Sequence, residues 1–190
     1  TLMYLNVSKY YKKVKNMLNK TKNNKNKGFS LLELMLVLGI IAALIVAAFM
    51  IFPKIENSRK ATEEVKYIIT MKNGIVEMYS GKAEYDNSIL DSRVMSKISP
   101  KGDKWNRTEW EGGFSVMPQM NNLGFSIIVR SIPQDACIKI VNQLKEQFVR
   151  IAVNDTPVVS TTKYYAVTPF DMATLTSTCK DNSEIQLDYY

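Results

Sequence analysis

The chain has 190 residues and a formal net charge of +7, which is enough length for about one globular domain and an appendage. It contains no histidine, the commonest general base and metal ligand, and Cys137 and Cys179 have neither CxxC nor zinc-ligand spacing. Composition therefore predicts a protein that is not an enzyme, with no metal site and no cofactor.

The positive charge is concentrated at the N-terminus. Residues 1–28 contain eight lysines and no acidic residue, and without these eight the chain has 17 basic residues against 18 acidic ones. Phosphate-binding surfaces need Lys and Arg on the folded part, so we predict no nucleic-acid partner. A basic arm before an apolar span is instead typical of a flank retained in the cytoplasm, with contact between this arm and nucleic acid as the alternative.

An apolar span follows the basic arm. Residues 34–52 are nineteen consecutive residues without a charge, about the length that a helix needs to cross a bilayer core. A cleaved secretory signal would have a shorter apolar region that ends in small residues. Ala47 and Ala48 resemble such an end, but the apolar run continues to Phe52. The pattern favours a retained anchor helix over a cleaved signal.

Glu33 is the one charged residue at the start of this span. A charge within a spanning segment costs about 2.5 kcal/mol or more near the bilayer centre and less near its edge. Two interpretations are open. Either Glu33 lies at the interface and reaches water, or a positive group is brought to it within the same apolar setting.

The helical pattern continues beyond the apolar span. Helical spacing opposite a charged face is kept by eight apolar residues: Ile55, Ala61, Val65, Ile68, Ile69, Ile75, Val76 and Tyr79. Gly81 supplies a stop, and bends are expected at Gly39 or Pro53. We predict one helix over about 29–80, roughly 75 Å long, whose apolar half is 29–53.

The remaining residues read as a small head of strands and short helices. We expect a loop over 83–113 with a short helix around 88–97, then a helix that begins near Pro133 with Ile138, Val141 and Leu144 inside. A further short helix is capped by Asp171. Strands are predicted over 113–118, 123–132, 148–154, 163–168 and 184–190. The fold class is α+β, a long N-terminal α-helix whose C-terminal half packs against an antiparallel β-sheet head.

Two groups of head residues come into question for a functional role, the two tryptophans for binding and three aspartates for metal coordination. Trp105 and Trp110 could form an exposed aromatic contact or anchor their loop to the core. Asp171, Asp181 and Asp188 have no recognisable metal-ligand spacing.

The stretch KGFSLLELMLVLGIIAAL, residues 27–44, resembles the prepilin signature of type IV pilins. A basic leader ends at Gly28, a hydrophobic Phe29 follows, and Glu33 is the fifth residue after the junction. The resemblance implies cleavage between Gly28 and Phe29 by a membrane-embedded prepilin peptidase, which also methylates the new amino terminus. Gly28 suits this role because a residue without a side chain lets a protease approach the backbone closely.

The same resemblance implies a partner for Glu33. In the family, this glutamate neutralises the N-terminal amine of a neighbouring subunit as the filament grows. Two unpaired charges in hydrocarbon are costly, so pairing them favours subunits docked in the correct register. The implied partners are other copies of the chain in a homo-oligomeric filament, the membrane before assembly and the inner-membrane pilus assembly machinery.

Weaker similarity extends into the head. The 28-residue leader and the stretch CIKIVNQLKEQFVRIAVN, residues 137–154, are similar to the type IVb subclass, which includes the toxin-coregulated and bundle-forming pilins. Phe29 departs from that subclass, whose mature forms more often begin with Met or Leu. The resemblance implies a disulfide between Cys137 and Cys179 that bounds the region 137–179, with free thiols as the alternative.

These expectations give a leader over 1–28, a long helix over 29–80 and a head over 81–190. The predicted function is a structural subunit of a type IV pilus used in adhesion, aggregation or conjugation. The leader is expected in the cytoplasm, the precursor in the inner membrane with a periplasmic head, and the assembled pilus outside the cell. The alternatives are a minor pilin, a type II secretion pseudopilin or a membrane-anchored ligand-binding domain.

Overall fold

The structure is a computed structural model that describes residues 30–82, 84–161 and 166–190. It divides into two compact units, one that ends at Phe49 and one that comprises Met50–Tyr190.

Helix α1, Leu31–Met78, is the long helix that the sequence predicts. Its first part is built from apolar residues that form helices readily, and its later part has an amphipathic pattern. Pro53 lies inside the helix, where it removes one backbone N–H donor. The helix is followed by a turn in which Lys82 N donates to the Tyr79 carbonyl, and Gly81 takes a φ of +86° there. A left-handed residue of this kind favours glycine.

Among the described residues, two 3₁₀ turns and one short helix lie between α1 and the sheet. A 3₁₀ turn at Asn87–Leu90 is followed by α2, Ser92–Ile98, and a second 3₁₀ turn at Gly102–Lys104. Asp91 caps α2 by accepting a hydrogen bond from Arg93 N. A Cβ at Gly74 of α1 would lie 2.1 Å from Ile98 Cγ2, so only glycine allows Ile98 to pack this closely.

Over its described residues, the head contains a five-stranded antiparallel sheet. In chain order its strands and the two accompanying helices are β1 Phe114–Gln119, β2 Gly124–Ile132, α3 Gln134–Leu144, β3 Arg150–Val153, β4 Thr156–Ser160, α4 Met172–Thr178 and β5 Ser183–Tyr189. The spatial order is β1-β2-β5-β3-β4. The last strand in sequence therefore lies at the centre, where Phe125 pairs with Tyr189 and Ile151 pairs with Leu187. The predicted α+β architecture is confirmed.

The described residues of the head unit form a hydrophobic core. One face of the sheet contributes Phe125, Ile127, Val129, Ile151, Ile185 and Leu187; α1 contributes Ala61, Val65, Ile68, Met71 and Ile75; α3 contributes Ala136, Cys137, Ile140, Val141 and Leu144. Two predicted inner residues differ from expectation. Ile55 is 63% exposed, and Ile138 is only partly buried at the edge of the core.

Strand β4 was not predicted, and the predicted strand over 163–168 lies partly outside the described residues. β3 and β4 form a hairpin around Asn154 and Asp155, whose φ values are +48° and +65°. Positive φ at both positions is typical of a two-residue type I′ turn. Of the predicted strand over 163–168, residues 163–165 lie outside the described residues, and Thr168 forms only an isolated bridge with Ser160.

Candidate functional site

The N-terminal part of α1 carries the sequence signature. Gly28 and Phe29 lie outside the described residues, and Glu33 is in the first turn of α1. Negative charge in a first helical turn is favourable because the backbone N–H groups there have no partners within the helix. The geometry thus places a lone carboxylate at the start of an apolar helix.

The apolar residues that follow Glu33 are exposed. The large hydrophobic side chains from Leu34 to Phe52 range from 40% exposed at Val37 to 75% exposed at Phe49. Among the described residues, α1 is the one helix long and apolar enough to cross a membrane. A continuous apolar surface of this size requires a cover of lipid or of other protein.

In the head unit, α1 also buries polar groups that the sequence analysis did not single out. Glu64 is fully buried and accepts a hydrogen bond of 2.9 Å from Glu109 N, while Lys101 Nζ lies 3.6 Å from its carboxylate. Burial raises the pKa of the Glu64 carboxyl above its ordinary value, against the opposing attraction of Lys101. The sequence does contain a signal for this buried glutamate. Glu64 lies four residues before Ile68 and therefore on the same apolar face of α1.

Tyr67 and Lys72 are two further buried residues of α1 that make polar contacts. The Tyr67 hydroxyl donates to the Trp105 carbonyl at 2.6 Å, and burial raises the pKa of Tyr67 to about 12. Lys72 Nζ donates to Gln147 Oε1 at 3.1 Å and lies 5.4 Å from the centre of the Tyr189 ring. Burial lowers the pKa of Lys72. Both side chains therefore join α1 to distant segments of the head.

The two tryptophans hold their loop to the head. Both are partly buried against the core, and Trp110 Nε1 donates to Asn57 Oδ1 at 3.1 Å. Of the two interpretations of the Trp105–Trp110 stretch, the structure favours the loop anchor.

The disulfide implied by the resemblance is present in the structure. Cys137 and Cys179 are joined with a Cα–Cα distance of 5.9 Å, and both are fully buried. The bond links the first turn of α3 to the C-terminal cap of α4.

At the other end of α4, the Asp171 carboxylate accepts from Ala173 N and Thr174 N. Hydrogen bonds from the Thr174 side chain and these backbone groups lower the pKa of Asp171.

Asp188 lies on the sheet face opposite the core, where it forms a buried polar cluster. Its carboxylate accepts hydrogen bonds from Arg150 Nη1 at 2.8 Å, from Gln186 Nε2 at 2.9 Å and from the Ser126 hydroxyl. These contacts join the three central strands β2, β5 and β3. Over the described parts of the chain, no group of three His, Cys, Asp or Glu side chains could hold a metal ion.

Comparison with solved structures identifies the class of protein that this fold defines. The structure is similar to a type IVb pilin from Salmonella typhi, with a TM-score of 0.50 and 16% identity over 67% of this chain and 98% of that one. It is also similar to TcpA, a type IV pilin from Vibrio cholerae El Tor, with a TM-score of 0.51 and 10% identity over 70% of this chain and 99% of that one. The fold is that of the type IV pilins.

Family models agree with the fold. The model described as PilS N terminal matches residues 58–188, well over half of the chain, and the prokaryotic N-terminal methylation motif matches residues 23–49. The chain therefore belongs to the PilS N-terminal family and is a type IV pilin, a structural subunit of a pilus. A search of curated protein sequences finds no significant match.

Proposed function

We propose that the chain is made as a prepilin whose basic leader, residues 1–28, stays in the cytoplasm while the apolar part of α1 enters the inner membrane. A prepilin peptidase then cuts between Gly28 and Phe29 and methylates the new amino terminus. The match of the methylation motif to residues 23–49, which include this junction, supports processing at this position.

The exposed apolar surface of α1 is the observation that carries the proposal. In the membrane its cover is lipid, and in a filament its cover is the same surface of neighbouring subunits. Burial of apolar area then drives polymerisation. The head, residues 81–190, lies in the periplasm before assembly and on an extracellular pilus afterwards, where it serves adhesion, aggregation or conjugation.

Glu33 sets the register of docking in this proposal. Cleavage creates a positive amine at Phe29, and the Glu33 carboxylate of one subunit pairs with the amine of the next. An unpaired charge within an apolar helix costs about 2.5–3.5 kcal/mol, on the order of 100-fold in binding. Only a subunit that brings the two charges together avoids this cost.

The test replaces Glu33 with Ala and leaves the head untouched. We expect E33A subunits to insert in the membrane and to fold, but to yield no filaments in a preparation sheared from cells. The matched control is Glu63→Ala, which removes an exposed glutamate of the same helix that pairs with Lys66 at 3.3 Å. E63A should assemble at wild-type yield. Normal pili from E33A cells would contradict the proposed pairing.

A further inference from the structure

The segment over residues 99–112 is attached to α1 by polar contacts. The Tyr67 hydroxyl lies 3.0 Å from Ser99 Oγ and donates to the Trp105 carbonyl, and Asn57 Oδ1 accepts from Trp110 Nε1. Between these, Glu64 accepts from Glu109 N. Glu64 is thus the one ionisable carboxylate of α1 among these attachment points within the described residues.

The Glu64 carboxylate is incompletely neutralised. The contacts with Glu109 N and Lys101 are both made by Oε2, while Oε1 is buried with no hydrogen-bond partner among the described residues. The nearby cation is shared, because Lys101 Nζ lies 3.1 Å from Glu109 Oε1 and donates to the Arg107 carbonyl at 3.0 Å. An ionised carboxylate that is buried with only part of one cation is costly.

We propose that Glu64 is a proton-linked anchor, which holds the 99–112 segment to α1 more tightly when its carboxyl is protonated than when it is ionised. The reason is geometric. A protonated Glu64 still accepts from Glu109 N, and Lys101 keeps its contacts with Glu109 and the Arg107 carbonyl. Protonation therefore removes the cost of a buried charge and leaves the attachment in place.

The charges that face Glu64 give the direction of the pH dependence. From the segment these are Lys101 and the Glu109 carboxylate, and from α1 itself the Tyr67 phenol. Burial is the largest effect on Glu64 and raises its pKa, and the Glu109 carboxylate raises it further, while Lys101 and the Glu109 N–H lower it.

When the segment detaches, Glu64 meets water and titrates near its ordinary value of 4.5. The attached state has the higher pKa and binds the proton more tightly. The stabilisation by Glu64 is therefore fully present below pH 4.5 and is lost as the pH rises through the raised value. This inference does not depend on filament assembly.

Hydrogen exchange at the amides of Glu109 and Trp110 tests the proposal on the full chain in detergent micelles. After correction for intrinsic exchange rates, wild-type protection should rise at least about threefold from about pH 8 to about pH 4, because protonation of Glu64 favours the attached state. In E64Q the same change should be less than about twofold, because glutamine does not titrate. The matched control E63Q should keep the wild-type dependence. Equal dependence in E64Q and wild type, or protection that falls in acid, would overturn the proposal.

A titration of the wild type makes the test independent of whether E64Q folds. The side-chain carboxyl carbon of Glu64, followed by NMR, reports the protonation of this group directly. Its titration midpoint should lie above the ordinary glutamate value of 4.5. A midpoint at or below 4.5 would show that burial does not govern its protonation, and the anchor would be wrong.

Discussion

The two parts of α1 share one secondary structure but meet different surroundings. In the apolar part Ile41 is 46% exposed, whereas in the head part Ile68 is completely buried. The first part is apolar on all sides, as expected of a helix whose whole circumference will be covered by lipid or other helices. The second part has a stripe of core residues with a charged opposite face. One helix is therefore suited to two environments by its pattern alone.

The difference extends to the glutamates. Glu64 finds Lys101 and a backbone N–H within its own chain, across the 99–112 segment. Glu33 stands at the start of the apolar part, and in the proposed mechanism its partner is the amine of another subunit. Glu64 thus has its contacts within the head, whereas in the proposed mechanism Glu33 meets its partner only on assembly. Substitutions can test this contrast, because Trp105 and Trp110, the two tryptophans of the chain, lie in the head and report its unfolding.

The largest expected effect is at Asp188. Asp188→Ala removes the fully buried carboxylate that Arg150, Gln186 and Ser126 contact. Breaking a buried pair of this kind costs about 3–5 kcal/mol in the free energy of unfolding. Denaturant unfolding of the full chain in micelles, followed by tryptophan fluorescence, measures it. The control is Asp103→Ala, which changes an exposed residue and should stay within about 0.5 kcal/mol of wild type. An equal loss of stability in both variants would show that the buried contacts of Asp188 do not stabilise the head.

Removal of the disulfide should have the next largest effect on the free energy of unfolding. Replacing Cys137 and Cys179 together by Ser opens a loop whose ends are 42 residues apart. The chain-entropy model gives a loss of about 4 kcal/mol in the unfolding free energy. The reduced wild type is the control and should unfold at nearly the same denaturant concentration as the double variant. If oxidised wild type and double variant had the same stability, the bond would not constrain the head.

The third prediction uses the same substitution in both parts of α1. Ile68→Ala leaves a cavity in the core and should lower the head's unfolding free energy by about 3 kcal/mol. Ile41→Ala changes an exposed residue of the apolar part and should leave the tryptophan-monitored transition where it is in wild type. A shift of similar size in the two variants would break the contrast between the two parts of the helix.

Much of the fold could be predicted because its signals are local. The apolar run, the amphipathic stripe and the Gly81 stop define α1 within two residues at each end. Asp171 marks the start of α4 because a side-chain cap acts on the next residues in the chain. β4 also had a local signal, the Asn154-Asp155 pair between two short runs that contain β-branched residues, although no strand was predicted from it.

The buried polar contacts could not be predicted in detail because their partners are distant in sequence. Glu64 and Lys72 stand in the apolar stripe of α1, which indicates that each needs a partner. Their partners are nevertheless fixed by loops 45 and 75 residues away. Asp188 lies in the predicted strand over 184–190, but its contact with Arg150 depends on which strand is the neighbour. Such pairings follow from strand order, which local patterns do not specify.

The mature N-terminus tests the central claim most directly. Intact-mass and N-terminal peptide mass spectrometry on filaments purified from cells should find a chain that begins at Phe29 and carries one methyl group on its amine. That result would supply the positive charge that Glu33 requires. Filaments built from chains that keep the lysine-rich leader would contradict the account, because the amine would then lie far from the apolar helix.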